Sequence, residues 1–539
     1  MGFVLVFLVA LFGRAFYLQV LAAPSLKAQA ASQSDATLTL AAHRGNILDR
    51  NGQILACSEP MATVSADPRL VKDPAQTATA LAPLLGVSEE ELKTKLTGTV
   101  GFVYLARKID PSIGQKVIAL NLAGLDVTSE DLRVYPAKAL APQLLGFVDT
   151  DNKGVAGLEK QYDALLKGTA GSEQVVHDSL GHPMAVLSEK APTNGANLTL
   201  TIDSQIQYEA ETVLSALVKQ VSAKKASAVV LDPKTGEILA MANTPVFDTN
   251  DFAHMPTPDE RNTAASDQYE PGSTFKVVVT AAALAAGLVT PATSFRLAPT
   301  IKVYDRVIHE AEAVPAVRNL SVTQILAQSS NVGAVTLGLE VGKDRLVDMI
   351  RRFGFTQPLG IDFPGEAAGS MLPPDEWSGT TIANVPIGQG VAVTPLQTAS
   401  AYAAIANDGV LVQPHLAKDG KAPATRQVIS PQVAAELRSM LTVTVQSGTG
   451  TRAQIPGYDV AGKTGTAQEV DPNVSGYAQG DYASSFVGMV PANDPQLVIL
   501  VVVDDPSTEH MGAEVAAPAF ATIAKFSLER LGIAPDAQG

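Results

Sequence analysis

Tyr269-Glu270-Pro271-Gly272-Ser273-Thr274-Phe275-Lys276 runs directly into Val277-Val278-Val279-Thr280-Ala281-Ala282-Ala283-Leu284-Ala285-Ala286. Pro-Gly marks a turn, and the apolar run that follows predicts a helix over 277–286, stopped by Gly287. Ser273 then sits at or near a helix N-terminus, where the dipole favours developing negative charge. Lys276 lies three residues on, so its amine can fold back over the same face toward the Ser273 hydroxyl. A serine is a poor nucleophile until a base takes its proton. A lysine can be that base only if burial or a neighbouring cation lowers its pKa.

Ser-x-x-Lys alone is weak, because a chain of this length should hold about one or two by chance. Ser222-Ala223-Lys224-Lys225 is such a decoy, at the end of a predicted helix, and reads as a solvated charge run. Two further elements raise Ser273 above it. Gln328-Ser329-Ser330-Asn331-Val332 offers a Ser-x-Asn, a hydroxyl and an amide on one turn. Gly462-Lys463-Thr464-Gly465-Thr466 offers a Lys-Thr-Gly on a predicted strand. Its ammonium and hydroxyls can hold a substrate carboxylate, and Gly465 lets a substrate backbone approach. Lys234-Thr235-Gly236 repeats the pattern only in a hairpin turn after Asp232-Pro233. The gaps are 329 − 273 = 56 and 463 − 329 = 134 residues. It is the order of the three motifs, in fitting local contexts, that carries the signal.

Around these motifs, Leu198–Ile202 reads as a strand and 204–221 as a helix capped by Asp203. Ala226–Leu231 and Glu237–Ala242 form a hairpin, and Asp459–Thr466, Ala483–Val490 and Leu497–Val503 are three late strands. A long Ala-rich helical stretch separates the two groups, which predicts an α+β domain with an antiparallel sheet split by a helical insertion. Residues 24–196 carry no catalytic spacing and read as a mixed α/β pedestal. Within them Asn51-Gly52 predicts a hairpin, Thr77–Leu85 and Glu89–Leu96 short helices, and Gly157–Leu166 another helix ended by Gly168.

Residues 1–23 are apolar apart from Arg14 and Gln19, near the length a spanning helix needs, with Phe16 and Tyr17 suited to an interfacial belt. We read them as an uncleaved anchor; a cleaved signal peptide, helped by Leu21-Ala22-Ala23, is the rival reading. No basic residue precedes the run, so charge does not set its orientation, and the natural N-terminus is expected further upstream.

The net charge of −15 argues against a nucleic-acid partner. The single cysteine, Cys57, excludes an intrachain disulfide and reads as a buried or edge-strand residue rather than a lipid-attachment site. The seven histidines make no metal-binding motif beyond the loosely spaced His177 and His182, and there is no phosphate loop and no Gly-x-Ser-x-Gly elbow. Neither a metal nor a cofactor is expected.

In this order, Ser273-x-x-Lys276, Ser329-x-Asn331 and Lys463-Thr464-Gly465 resemble the motif set of penicillin-binding proteins and serine β-lactamases. The resemblance extends over nearly the whole chain to class B penicillin-binding proteins, the monofunctional peptidoglycan D,D-transpeptidases. It includes Arg44–Ala56, Arg133 with Tyr135-Pro136, Gly157-Leu158-Glu159 with Tyr162, and Gly388-Gln389-Gly390. Ser329–Gly333 and Tyr104–Ile109 look like the septal, cell-division type. The region before Ser273 is too short for the glycosyltransferase domain of a bifunctional class A enzyme, and no wall-binding module is expected after the last helix.

The resemblance implies a five-stranded antiparallel sheet flanked by helices over 197–539, the pedestal at 24–196 and a transmembrane anchor at 1–23. It implies a D-Ala-D-Ala donor stem, Ser273 attacking the penultimate carbonyl, Lys276 as its base, and Ser329 with Lys463 passing a proton to the leaving D-Ala. Asn331 would orient Lys276 and the substrate amide, Lys463, Thr464 and Thr466 would grip the carboxylate, and the backbone N–H groups of Ser273 and Thr466 would hold the oxyanion. β-Lactams would stall the acyl-enzyme. The implied setting is the inner membrane with the catalytic domain in the periplasm, beside a polytopic lipid-linked glycan polymerase and other division proteins. An elongation-type enzyme, a D,D-carboxypeptidase or β-lactamase with the same triad, and a penicillin-sensing receptor are the competing readings. A receptor would need signalling segments that the chain does not offer.

Overall fold

The computed structural model describes residues 2–25, 35–177, 183–254, 261–470 and 477–536; His182 lies outside them. The chain forms two compact units that interleave in sequence. One comprises 1–46, 58–133 and 164–197, the other 47–57, 134–163 and 198–539.

The second unit is built on β1 (Lys225–Leu231), β2 (Ile238–Thr244), β3 (Ala461–Val470), β4 (Tyr477–Val490) and β5 (Leu497–Asp504). They form one antiparallel sheet in the order β2-β1-β5-β4-β3, so the five-stranded sheet expected from the sequence is present. The run Leu497-Val498-Ile499-Leu500-Val501-Val502-Val503 is buried throughout because β5 is the central strand and both of its faces are covered. Helices α1 (Ser204–Val221) and α6 (Gly512–Leu531) cover one face. There Ile206, Leu214, Phe520 and Ile523 pack with Val230, Phe486, Ile499 and Val501. The other face is covered by helices of the insertion, chiefly α4 (Pro395–Ala406), every residue of which is buried. The insertion also supplies α2 (Lys276–Ala285), α3 (Asn331–Val341) and α5 (Pro431–Ser447).

Local chemistry explains the helix starts. The Asp203 carboxylate accepts from Gln205 N and Ile206 N, as its position predicts, and Ser330, Thr394 and Ser430 cap α3, α4 and α5 in the same way. Asn51-Gly52 turns Ile47–Leu48 back onto the strand Ile54–Ala66, and Cys57 lies half-buried within that strand. Two expectations need correction. The predicted strand Leu198–Ile202 stops at Thr199, because Thr201 turns its hydroxyl onto Ile238 O at 2.7 Å. The predicted helix Gly157–Leu166 is two pieces, Gly157–Gln161 and Asp163–Leu166. The break falls at Tyr162 (φ −105°, ψ 20°), whose hydroxyl donates to Asp362 Oδ2 at 2.6 Å.

In the first unit, the helices Pro74–Leu85 and Glu89–Leu96 start at the caps Asp73 and Ser88. They bury Leu81, Leu92 and Leu96 with Leu105 and Val117. Arg133 is buried and donates to Gly45 O at 2.8 Å, which joins two segments singled out by the resemblance. Asp35–Leu40, Gly171–His177 and Pro183–Lys190 form a three-stranded antiparallel sheet. Gly2–Leu21 is one continuous 20-residue helical segment, apolar and long enough to cross a membrane, with none of its residues buried.

Candidate active site

Gly272–Phe275 forms a 3₁₀ turn that feeds α2, so Ser273 stands one turn ahead of Lys276 at the helix start, half-buried. Gly272 makes the turn possible with φ +53°, and the hydroxyl of Tyr402, itself buried in α4, donates to Thr274 O at 2.9 Å. Lys276 is 1% exposed. Its amine reaches Ser329 O at 2.5 Å, Ser329 Oγ at 3.2 Å and Asn331 Oδ1 at 2.7 Å.

The partner turn is strained. Ser329 has φ +57°, a conformation costing a non-glycine residue about 1 kcal/mol. Backbone bonds from Ser329 N to Leu326 O and from Ser330 N to Ile325 O hold it there, and the Ser330 hydroxyl accepts from Gly333 N to start α3. The Lys276 amine is thus aimed at one hydroxyl and two carbonyl-type oxygens. A neutral amine can donate to the two carbonyl oxygens and still keep its lone pair for a hydroxyl proton. Burial pushes Lys276 down to about 7, opposed by the charge of Glu310. A base with that value is half-neutral near physiological pH.

The other wall is β3, an edge strand of the sheet. The Lys463 side chain is fully buried and donates to Thr464 O at 3.2 Å and Thr464 Oγ1 at 3.3 Å. Burial, and then the positive charge of Lys276, hold Lys463 well below the usual lysine range. Thr466 Oγ1 accepts from Gly512 N at 3.0 Å, which leaves the hydroxyl proton for another acceptor. The strand lies hard against the Ser273 turn. A side chain at Gly465 would come within 2.3 Å of Ser485 Oγ, 3.0 Å of Thr274 Cγ2 and 3.1 Å of Pro271 O. The room that Gly465 leaves is therefore taken up by the turn and by β4.

Ser273, Lys276, Ser329 and Asn331 are brought together on the helix side, and Lys463, Thr464, Gly465 and Thr466 on the strand side, around the same turn. Gly388 and Gly390 flank it: Gly272 N donates to Gly388 O, and Gly390 N to the Glu270 carboxylate. The decoys are elsewhere. Ser222 is the left-handed cap of α1, Lys224 and Lys225 pair with Asp505 and Asp267, and Lys234–Gly236 closes the β1–β2 turn over Asp232.

Two residues at the site escaped the sequence reading. Glu310 accepts from Ser330 Oγ at 2.6 Å and from Asn331 N at 2.7 Å. Thr449 Oγ1 shares a 2.8 Å hydrogen bond with Thr464 Oγ1. Both sit in loops with no motif of their own, and the late position of Thr449 beside a Gly-x-Gly was the only available signal. Among the described residues no cluster of His, Cys, Asp or Glu could hold a metal.

Residues 226–525 match the penicillin-binding protein transpeptidase domain, and residues 39–200 the penicillin-binding protein dimerisation domain. The chain is 36% identical over 565 residues to the penicillin-binding protein PbpB of Mycobacterium tuberculosis, covering 97% of this chain and 83% of the relative. It is 35% identical to stage V sporulation protein D of Bacillus subtilis (99% and 86% covered) and 33% identical to the peptidoglycan D,D-transpeptidase FtsI of Escherichia coli (99% and 92% covered). Among solved structures, it resembles penicillin-binding protein 3 of Mycobacterium tuberculosis in complex with aztreonam. There the TM-score is 0.73 and the identity 31%, over 93% of this chain and 98% of the other. With the fold, the ordered motifs and these relatives in agreement, the chain belongs to the class B penicillin-binding proteins, the family of the peptidoglycan D,D-transpeptidases.

Proposed function

We propose that this protein crosslinks peptidoglycan stem peptides through an acyl-enzyme on Ser273, in septal wall synthesis, and that β-lactams acylate the same serine. The observation that carries the reading is the buried Lys276 amine, lowered to about 7 and held between Ser329 and Asn331 one turn from Ser273. Lys276 takes the Ser273 proton as the hydroxyl attacks the penultimate carbonyl of a D-Ala-D-Ala donor. The proton passes by Ser329, with Lys463 alongside, to the nitrogen of the leaving D-Ala as the C–N bond breaks. Asn331 keeps one amide proton on His309 O at 3.0 Å, and the other is left for a substrate carbonyl.

Among the described residues β3 pairs with β4 alone, and its other edge suits a substrate that lies alongside it as an added strand. Thr464, Thr466 and Lys463 would then meet its carboxylate, and the backbone N–H groups of Ser273 and Thr466 the oxyanion. An amine from a neighbouring stem resolves the acyl-enzyme.

We assign this chemistry to 197–539, a pedestal role to 24–196 and the anchor to 1–23. With this assignment we infer an anchor in the inner membrane and a catalytic domain in the periplasm. A polytopic lipid-linked glycan polymerase and other division proteins are the partners it implies. The septal reading is supported by similarity to FtsI and to stage V sporulation protein D.

The test supplies a pentapeptide donor with an amine acceptor. Crosslinked product, with one equivalent of D-Ala released for each crosslink formed, is expected. Release of D-Ala with no dimer would replace transpeptidation by a carboxypeptidase.

A further inference from the structure

Glu310 ends a hairpin formed by Thr300–Val303 and Arg306–His309. Its side chain is only 6% exposed. One carboxylate oxygen accepts from Ser330 Oγ at 2.6 Å and from Arg318 at 3.2 Å; the other accepts from Asn331 N at 2.7 Å. The preceding residue completes the grip, His309 O accepting from Asn331 Nδ2 at 3.0 Å. The residues that close the hairpin therefore fix Ser330 and Asn331, the C-terminal side of the strained Ser329 turn to which the Lys276 amine is bonded. Burying a carboxylate is costly unless charge-assisted bonds repay it, and here both oxygens are engaged.

The charged groups acting on Glu310 are Arg318, on the strand Arg318–Ser321, and Lys276 on α2; Lys463 on β3 lies beyond, next to Lys276. Of these, Arg318 alone pairs directly with the carboxylate. The negative charge of Glu310 bears on Lys276 and opposes the effect of its burial.

We propose that Glu310 is a positioning residue for acyl transfer: it locks the Ser330–Asn331 turn that aims the Lys276 amine, and it supplies the counter-charge that sets when that amine becomes a base. The proposal rests on Lys276 acting as the base toward Ser273. A simple structural brace would lower the acylation rate equally at all pH values. A counter-charge does more, because removing it must also move the pH at which acylation switches on, and in a direction fixed by sign.

The experiment measures the second-order acylation rate of the full chain with a chromogenic cephalosporin between pH 5 and pH 9. Glu310→Gln removes the negative charge, so Lys276 loses its proton more readily and the acid limb moves down, by about one pH unit. Arg318→Gln leaves Glu310 uncompensated, so the limb moves up by a smaller step. Both variants are checked for an unchanged far-UV spectrum. If Glu310→Gln fails to fold, Arg318→Gln alone decides.

Opposite displacements support the proposal. Limbs that coincide with the wild type, or that move the same way in both variants, overturn it, even if the rates themselves fall. A wild-type protein whose acylation shows no acid limb would instead remove the underlying reading of Lys276.

Discussion

The pH dependence of acylation follows from where Lys276 sits. An exposed lysine titrates near 10.5, and at pH 7.5 about one amine in a thousand is neutral. Burial lowers Lys276 to about 7, which makes about three-quarters neutral at the same pH. The site thereby gains roughly 700-fold in competent base before any geometry is counted. Lowering the pH from 7.5 to 5.5 should reprotonate the amine and cut the acylation rate about 25-fold. Raising it from 7.5 to 9 should gain only about 1.3-fold, because the amine is already mostly neutral. The assay is stopped-flow acylation by a chromogenic cephalosporin under single-turnover conditions, which isolates acylation from hydrolysis. An unperturbed lysine gives a different curve, climbing tenfold per unit through pH 9. That curve, or a flat profile across the whole range, would refute the assignment of Lys276 as the general base.

Three other outcomes are expected. Gly465→Ala places a methyl 2.3 Å from Ser485 Oγ and 3.0 Å from Thr274 Cγ2, so β3 must move off the Ser273 turn. It should cost about 1–3 kcal/mol in denaturant titration and most of the acylation rate, and wild-type values for both would contradict the packing described. Glu211 is buried, and burial pushes its carboxyl up to about 8 although it accepts from Gln207 and Ala141 N. A raised carboxyl binds its proton more tightly folded than unfolded, so the fold loses stability as pH rises from the unfolded value near 4.5 toward 8. Glu211→Gln keeps an oxygen for both donors without the charge; it should stabilise by about 2–3 kcal/mol at pH 7 and by nearly nothing at pH 4.5, in paired thermal melts. Thr449→Val removes the hydroxyl bonded to Thr464 Oγ1 and leaves that oxygen only the Lys463 amine. It should raise the donor-peptide KM severalfold with little change in kcat, and a fall in kcat alone would argue against a role in gripping the carboxylate.

The parts of the site legible in the sequence were those encoded by local spacing. Pro271-Gly272 before an apolar run fixed the Ser273 turn, and the strand pattern around Lys463 fixed the opposite wall. Asp203 announced α1, and the alternation and length of the late apolar runs announced the sheet. Glu310 was invisible because its partners are reached only when a hairpin folds back on the Ser329 turn, 20 residues downstream. The positive φ of Ser329 was equally hidden, since serine carries no local signal for a left-handed turn. Gly465 was read as clearance for a substrate. The structure fills that clearance with Thr274 and Ser485, contacts that strand periodicity does not specify. Tyr162 broke a predicted helix through a hydrogen bond to Asp362, 200 residues away. In each case the missing information was long-range.

The central claim is that Ser273 is the residue acylated. Intact-protein mass spectrometry after exposure to a penicillin, with the adduct mapped by peptide digestion, tests it most directly. One adduct per chain is expected, on the peptide carrying Ser273, abolished in Ser273→Ala and retained in Ser222→Ala. An adduct on any other residue, or a Ser273→Ala protein that labels at the wild-type rate, would contradict it.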